Sequence, residues 1–164
     1  MATSFTSGSM SDIVVIRKEA KVNSSLATTY KVVSDFQSYP EFVSMCRSVT
    51  PIESKECLDK DSAPYSQHLV KMDFSFGKLS YSMTTRNKHY DNRVIQVELV
   101  KGPVESLTGS WTFTALEANK TLVEAQMDFI VKNLFLRKMF HLFIEELTSH
   151  LVKSFTERAE SLNG

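Results

Sequence analysis

Apolar residues recur at every second position through most of 46–130, and at helical spacing from residue 134 onward. Along 65–76, His68, Val70, Met72, Phe74 and Phe76 fall on one side of an extended chain, with Gln67, Lys71 and Asp73 mostly opposite. The same test groups Leu79, Tyr81 and Met83, then Ile95, Val97 and Leu99, then Leu107, Gly109, Trp111 and Phe113, then Val123, Ala125, Met127 and Phe129. Turn signals punctuate the run at Pro51, the charged stretch 55–62, Gly77, Asp91-Asn92, Gly102-Pro103 and Asn119. Successive antiparallel strands are predicted, each dry on one face.

Residues 12–20 carry Ile13, Val14, Val15 and Ile16 and read as a first strand. Asn23, Ser24 or Ser25 then suits the cap of a short helix running through Ser34, with Leu26, Tyr30 and Val33 on one side. Pro40 fits a first helical turn, which makes Ser38 the expected cap of a second short helix over 41–45. At the other end, Leu136, Phe140, Phe143, Leu147, Leu151 and Phe155 form the stripe of one long helix. The order predicts an α+β fold: a curved antiparallel sheet of about six to seven strands wrapped around a long C-terminal helix, with two short helices after the first strand. Residues 12–164 are expected to form a single domain. Residues 1–11, rich in Ser and Thr, are expected to be a disordered leader; they lack the arginines of a transit peptide, and their lack of acids suits mitochondria better than secretion.

A bent sheet gripping a helix leaves an apolar space between them. Its expected lining is Val70, Met72, Phe74, Tyr81, Met83, Val97, Leu99, Trp111, Phe113, Met127 and Phe129 from the sheet, with Leu136, Phe140, Phe143 and Leu147 from the helix. Each of these also reads as plain core. Together, methionines and aromatics on facing strands make adaptable walls. His68 is the titratable residue on the inward faces, either satisfied by the core or donating to a ligand carbonyl.

The last helix begins too apolar for one buried face, because Phe135, Met139 and Leu142 lie off the stripe beside Leu134. With Lys132, Arg137 and Lys138 nearby, this turn suits a membrane surface with anionic headgroups, and equally a homo-oligomer interface. Burial under a loop is the third reading.

Composition narrows the function. Nineteen Lys plus Arg balance nineteen Asp plus Glu, so the broad positive field of a nucleic-acid binder is missing and no nucleic acid is expected. Cys46 and Cys57 form no CxxC pair, which favours a reducing compartment over a disulfide framework. No P-loop, GxGxxG, HExxH or GxSxG occurs, so neither catalytic residues nor a metal or catalytic cofactor are expected. Cys46 with His68 has no spacing that would orient a thiol and a base. Asp35 and Glu41 bracket the helix junction, where capping is the simpler role.

The stretch Ser34-Asp35-Phe36-Gln37-Ser38-Tyr39-Pro40-Glu41-Phe42-Val43, on to Cys46, resembles the START-like, helix-grip group that contains the coenzyme Q-binding proteins and RatA. That group's hallmark is an aspartate, then Tyr-Pro-x-Phe, then a cysteine. Gly102-Pro103 followed by Leu107, Gly109, Trp111 and Phe113 is similar to a second motif of the group, and Phe129 with Asn133 to a third. Ser44-Met45 stands where the group has proline and often tryptophan, and Val104 where it has phenylalanine.

The resemblance implies a non-enzymatic protein that binds ubiquinone or a related polyprenyl quinone and supports respiration and quinone biosynthesis. It would act at the matrix side of the mitochondrial inner membrane in a eukaryote, and in the cytoplasm of a bacterium. It further implies a quinone wall that includes Val70, Met72, Trp111, Phe113 and Phe129, and a mouth at Leu134, Phe135, Met139 and Phe143. Tyr39, Pro40 and Phe42 carry the motif, either by fixing the helices or by touching ligand. Two other readings stand beside it: a ribosome-association module that inhibits translation, and an aromatase or cyclase.

Overall fold

The computed structural model describes residues 13–162, so the predicted leader at 1–11 lies outside the described residues. The chain runs β1 (Ile13–Val22), α1 (Leu26–Ser34), a 3-10 turn (Phe36–Ser38), α2 (Tyr39–Phe42), β2 (Cys46–Leu58), β3 (Pro64–Phe76), β4 (Leu79–Tyr90), β5 (Val94–Lys101), β6 (Ser106–Glu117), β7 (Lys120–Ile130) and α3 (Leu134–Leu162). All strands join one seven-stranded antiparallel sheet in the order β1-β7-β6-β5-β4-β3-β2. The α+β helix-grip architecture expected from the sequence is the one found.

Local chemistry sets the helix starts. Ser25 caps α1, its hydroxyl accepting from the Thr28 N–H at 3.1 Å. Asn133 caps α3 in the same way, its side-chain oxygen accepting from the Leu136 N–H at 3.1 Å. Ser38 departs from expectation. Its hydroxyl donates to Asp35 Oδ2 at 2.8 Å instead of capping, and the second helix is the single turn Tyr39–Phe42 rather than 41–45.

The strand faces follow the period-two pattern, with Val70, Phe74, Met83, Ile95, Leu107, Trp111, Phe113, Val123, Ala125, Met127 and Phe129 all buried. β2 corrects the sequence reading, because Pro51 and Lys55 are not turns but lie within one strand of 13 residues. The register shifts between Pro51 and Glu53, as befits a proline in the sheet's outermost strand. Gly109 lies opposite Met127 in the β6–β7 ladder, and a β-carbon there would sit 2.4 Å from the Met127 sulfur. The bare backbone at Gly109 is what lets that thioether lie flat on the sheet.

α3 crosses the concave face and packs on β1, where Lys18 pairs with Glu145 and the Asn23 N–H donates to Glu160 at 2.9 Å. Phe140, Phe143, Leu147, Leu151 and Phe155 of the predicted stripe are buried. Leu136 is not: it is 49% exposed, one turn into the helix and beyond the reach of the sheet.

Candidate functional site

Between the sheet and α3 the packing leaves a cavity of about 100 Å³. Met72 and Phe74 of β3, Met83 of β4, Val97 of β5, Trp111 of β6 and Met127 of β7 line it, all expected from the sequence. Leu147, also expected, joins Ile144, Leu151 and Phe155 on the helix side, and Val33, Phe36 and Tyr39 close the top.

Other residues expected in the wall stand behind it or beyond its ends. Tyr81, Phe129, Phe140 and Phe143 pack on one another, with Tyr81–Phe143 ring centroids 4.5 Å apart and Phe129–Phe140 5.2 Å. Edge-to-face and tilted contacts of this kind fill space. These four rings therefore plug the gap between the cavity and the start of α3 instead of lining it. Phe113 meets Tyr30 edge-on at 5.2 Å, Val70 is fully buried, and Leu99 lies under Gly102, whose absent β-carbon would be 2.9 Å from it. Gly102 and Pro103 shape the β5–β6 connection and Pro40 the first turn of α2, all outside the cavity lining.

Of the Tyr-Pro-x-Phe motif, Tyr39 reaches the cavity. Its hydroxyl donates to the Val33 carbonyl, and its ring packs 5.1 Å from Phe155. Phe42 adds a contact with Phe155 at 6.1 Å and lies under the Arg158 guanidinium at 5.0 Å. The Tyr-Pro-x-Phe segment thus fastens the short helices to α3.

One end of the cavity is polar, a feature that apolar periodicity alone does not mark. Thr85, Asn87 and His89 continue the inward face of β4 begun by Tyr81 and Met83, so the two-residue repeat was already the signal. Asn87 and His89 are each 6% exposed, and no hydrogen bond among the described residues reaches Asn87 Oδ1. His68, opposite Asn87 in the β3–β4 ladder and on the same face, extends this polar end, its ring 4.6 Å from His89 and 5.2 Å from Phe36, with Nδ1 2.7 Å from the Ser54 hydroxyl.

Burial, with His68 as a lesser contributor, holds His89 down at about 4 against an ordinary 6.5, so it is neutral at physiological pH. Burial also lowers His68, against the pull of Glu56. It pushes the Cys46 thiol up to about 11, and the thiol sulfur lies 3.8 Å from the Ser48 carbonyl. Cys46 is a packed sulfur and not a thiolate at neutral pH. Among the described residues no group of three or more His, Cys, Asp or Glu could hold a metal ion.

The His89 shift sets a pH dependence. The unfolded histidine takes its proton near 6.5 and the folded one near 4, so between these values the unfolded chain binds more protons. The stability His89 contributes is whole above 6.5 and declines as the pH falls toward 4, by roughly 3 kcal/mol in all. Urea midpoints of the H89F chain should therefore vary less over that window than those of the parent, and parallel profiles would contradict the assignment.

The surface at the start of α3 is apolar, with Leu134 69%, Phe135 71% and Leu142 66% exposed and Met139 half-buried. Lys132 and Lys138 flank it in solvent. Among the described residues no helix is long and apolar enough to cross a membrane.

A family model described as polyketide cyclase / dehydrase and lipid transport matches residues 22–156. The ribosome association toxin RatA of Escherichia coli (strain K12) is 32% identical over 147 residues, covering 90% of this chain and 87% of that protein. Among solved structures, the Zhui aromatase/cyclase from Streptomyces sp. R1128 superposes with a TM-score of 0.78 at 16% identity, covering 90% of this chain and 94% of that one. A START superfamily protein from Mycobacterium smegmatis superposes with a TM-score of 0.69 at 22% identity, covering 90% and 98%. At such identities the two structures speak for the fold alone.

Proposed function

This chain belongs to the polyketide cyclase / dehydrase and lipid transport family, with the START-like fold, and from that premise we propose that it binds a polyprenyl quinone of the ubiquinone type and exchanges it with a membrane surface. The observation that carries the reading is the cavity itself, apolar along most of its length and polar at the Asn87–His89 end. A quinone has the matching shape, an oxygenated ring followed by a hydrocarbon tail. At about 100 Å³ the cavity is smaller than the roughly 150 Å³ that accommodates a benzene ring, so binding requires the wall to give. Met72, Met83 and Met127 are the unbranched side chains able to do so. The tail then leaves past the Tyr81, Phe129, Phe140 and Phe143 rings toward Leu134 and Phe135.

The same lining favours binding over catalysis. His89 is held neutral and deep, Cys46 is protonated, and among the described residues no nucleophile with a base beside it faces the cavity. The aromatase/cyclase reading rests on the family's description and on fold likeness, neither of which carries an activity across. In a bacterial cell the protein would work at the cytoplasmic face of the membrane, and in a eukaryotic one at the matrix face of the mitochondrial inner membrane.

Organic extraction of detergent-free protein, followed by mass spectrometry and a redox difference spectrum, tests the proposal. A quinone approaching one per chain is the expected result. Protein that emerges empty and takes up no quinone from liposomes overturns it. The relationship to RatA favours a second reading, ribosome association, and co-sedimentation with ribosomal subunits by a chain that carries no quinone would establish that one instead.

A further inference from the structure

Resting on the cavity as a lipid site, we propose that its Asn87–His89 end is a receptor for uncharged oxygenated head groups, so that the protein takes up ketones and quinones and refuses lipids whose head is an ionised carboxylate or phosphate. The polar side chains of the lining are Thr85, Asn87 and His89 on β4, Thr148 on α3, and Tyr39, whose hydroxyl is already engaged. Among the described residues no Lys or Arg joins them. The Asn87 amide carries two N–H hydrogens and neutral His89 carries one, and no hydrogen bond among the described residues uses them. They suit a carbonyl oxygen. The Thr85 and Thr148 hydroxyls rotate to meet an ether or an alcohol.

A carbonyl needs no more than this, but a carboxylate does. Asn87 and His89 are each 6% exposed, so an anion seated beside them would give up its water without meeting a countercharge. His89 does not readily supply one, because burial keeps it neutral down to about 4. A charge that does reach this end has the wrong sign, since Glu56 acts on the His68 ring beside His89. Lys132 and Lys138 stand in solvent at the start of α3, where they meet anionic headgroups that stay in the bilayer.

Decanoate and 2-undecanone share a carbonyl and a tail, and differ in the charged oxygen or methyl group beside that carbonyl. The single tryptophan, Trp111, lines the cavity, so its fluorescence follows filling. Titrated into the full chain at about pH 8, the ketone should bind at least about thirtyfold more tightly than the anion. At about pH 5 much of the acid is protonated while His89 is still largely neutral, so the affinity for the acid should rise at least about tenfold and that for the ketone should hold. Decanoate binding within the first margin, or a smaller rise on acidification, overturns the inference. N87L should weaken the ketone about fivefold by removing two donors; a folded N87L with unchanged ketone affinity would overturn the assignment to this end. A ketone that does not bind the parent chain overturns the inference as well, and a benzoquinone with a ten-carbon tail, titrated alongside, shows separately whether the quinone reading stands.

Discussion

Replacing Leu134 and Phe135 together by aspartate should weaken binding to anionic vesicles by at least about a hundredfold, since each apolar side chain withdrawn from lipid forfeits about 1.5–3 kcal/mol even before charge repulsion is added. The fold should be untouched. Both side chains are about 70% exposed, and they are the first two residues of α3, where acids are favoured by the unpaired N–H groups. Asn133 remains in place as the cap. In the parent chain, Lys132 and Lys138 should make the affinity fall with added salt. Vesicle flotation across a salt series reads both effects. Unchanged flotation of L134D/F135D, with a loss of self-association in its place, would assign this surface to a second copy of the chain.

The second large effect lies in the aromatic plug. F143A should cost about 3–5 kcal/mol, because a fully buried ring is removed and its neighbours close the space only in part. For a chain of this length that corresponds to a fall in Tm of roughly 10 °C. Tyr81 and Phe140, at 4.5 and 5.8 Å, lose the ring against which they stack. Calorimetry of the purified variant reads this directly, and a loss below about 1 kcal/mol would mean that the cluster packs loosely enough to collapse.

These two regions also show how far the amino-acid order could be read. Alternation identified the inward side of every strand from β3 to β7, because a sheet with one wet face imposes a strict repeat of two. It failed at β2, an outer strand whose charged positions 53, 55 and 56 are all exposed and offer no such contrast. In α3 the repeat placed Leu136 in the core, since spacing says nothing of where the sheet beneath a helix ends.

The cavity was legible as a region and not as a boundary. Phe140 and Phe143 were expected in its wall because they are apolar and inward, and only the ring contacts show that they fill the space themselves. Asn87 and His89 escaped for the opposite reason. They obey the repeat but are polar, and an inward polar pair is visible in a sequence only when the period is followed past the last apolar residue.

The proline and the shifted register of β2 bear on how the protein behaves in company. An open sheet ends in strands whose unpaired backbone groups invite another chain to dock, and β2 is long enough to template one. Pro51 offers no N–H, the kink after it breaks the straight run of donors and acceptors, and Glu53, Lys55 and Glu56 stand exposed along the rim. The molecule thereby carries a greasy helix tip at one place and a border hostile to stacking at another. In the proposed membrane role, that border would let copies crowd onto a lipid surface without growing into a filament there.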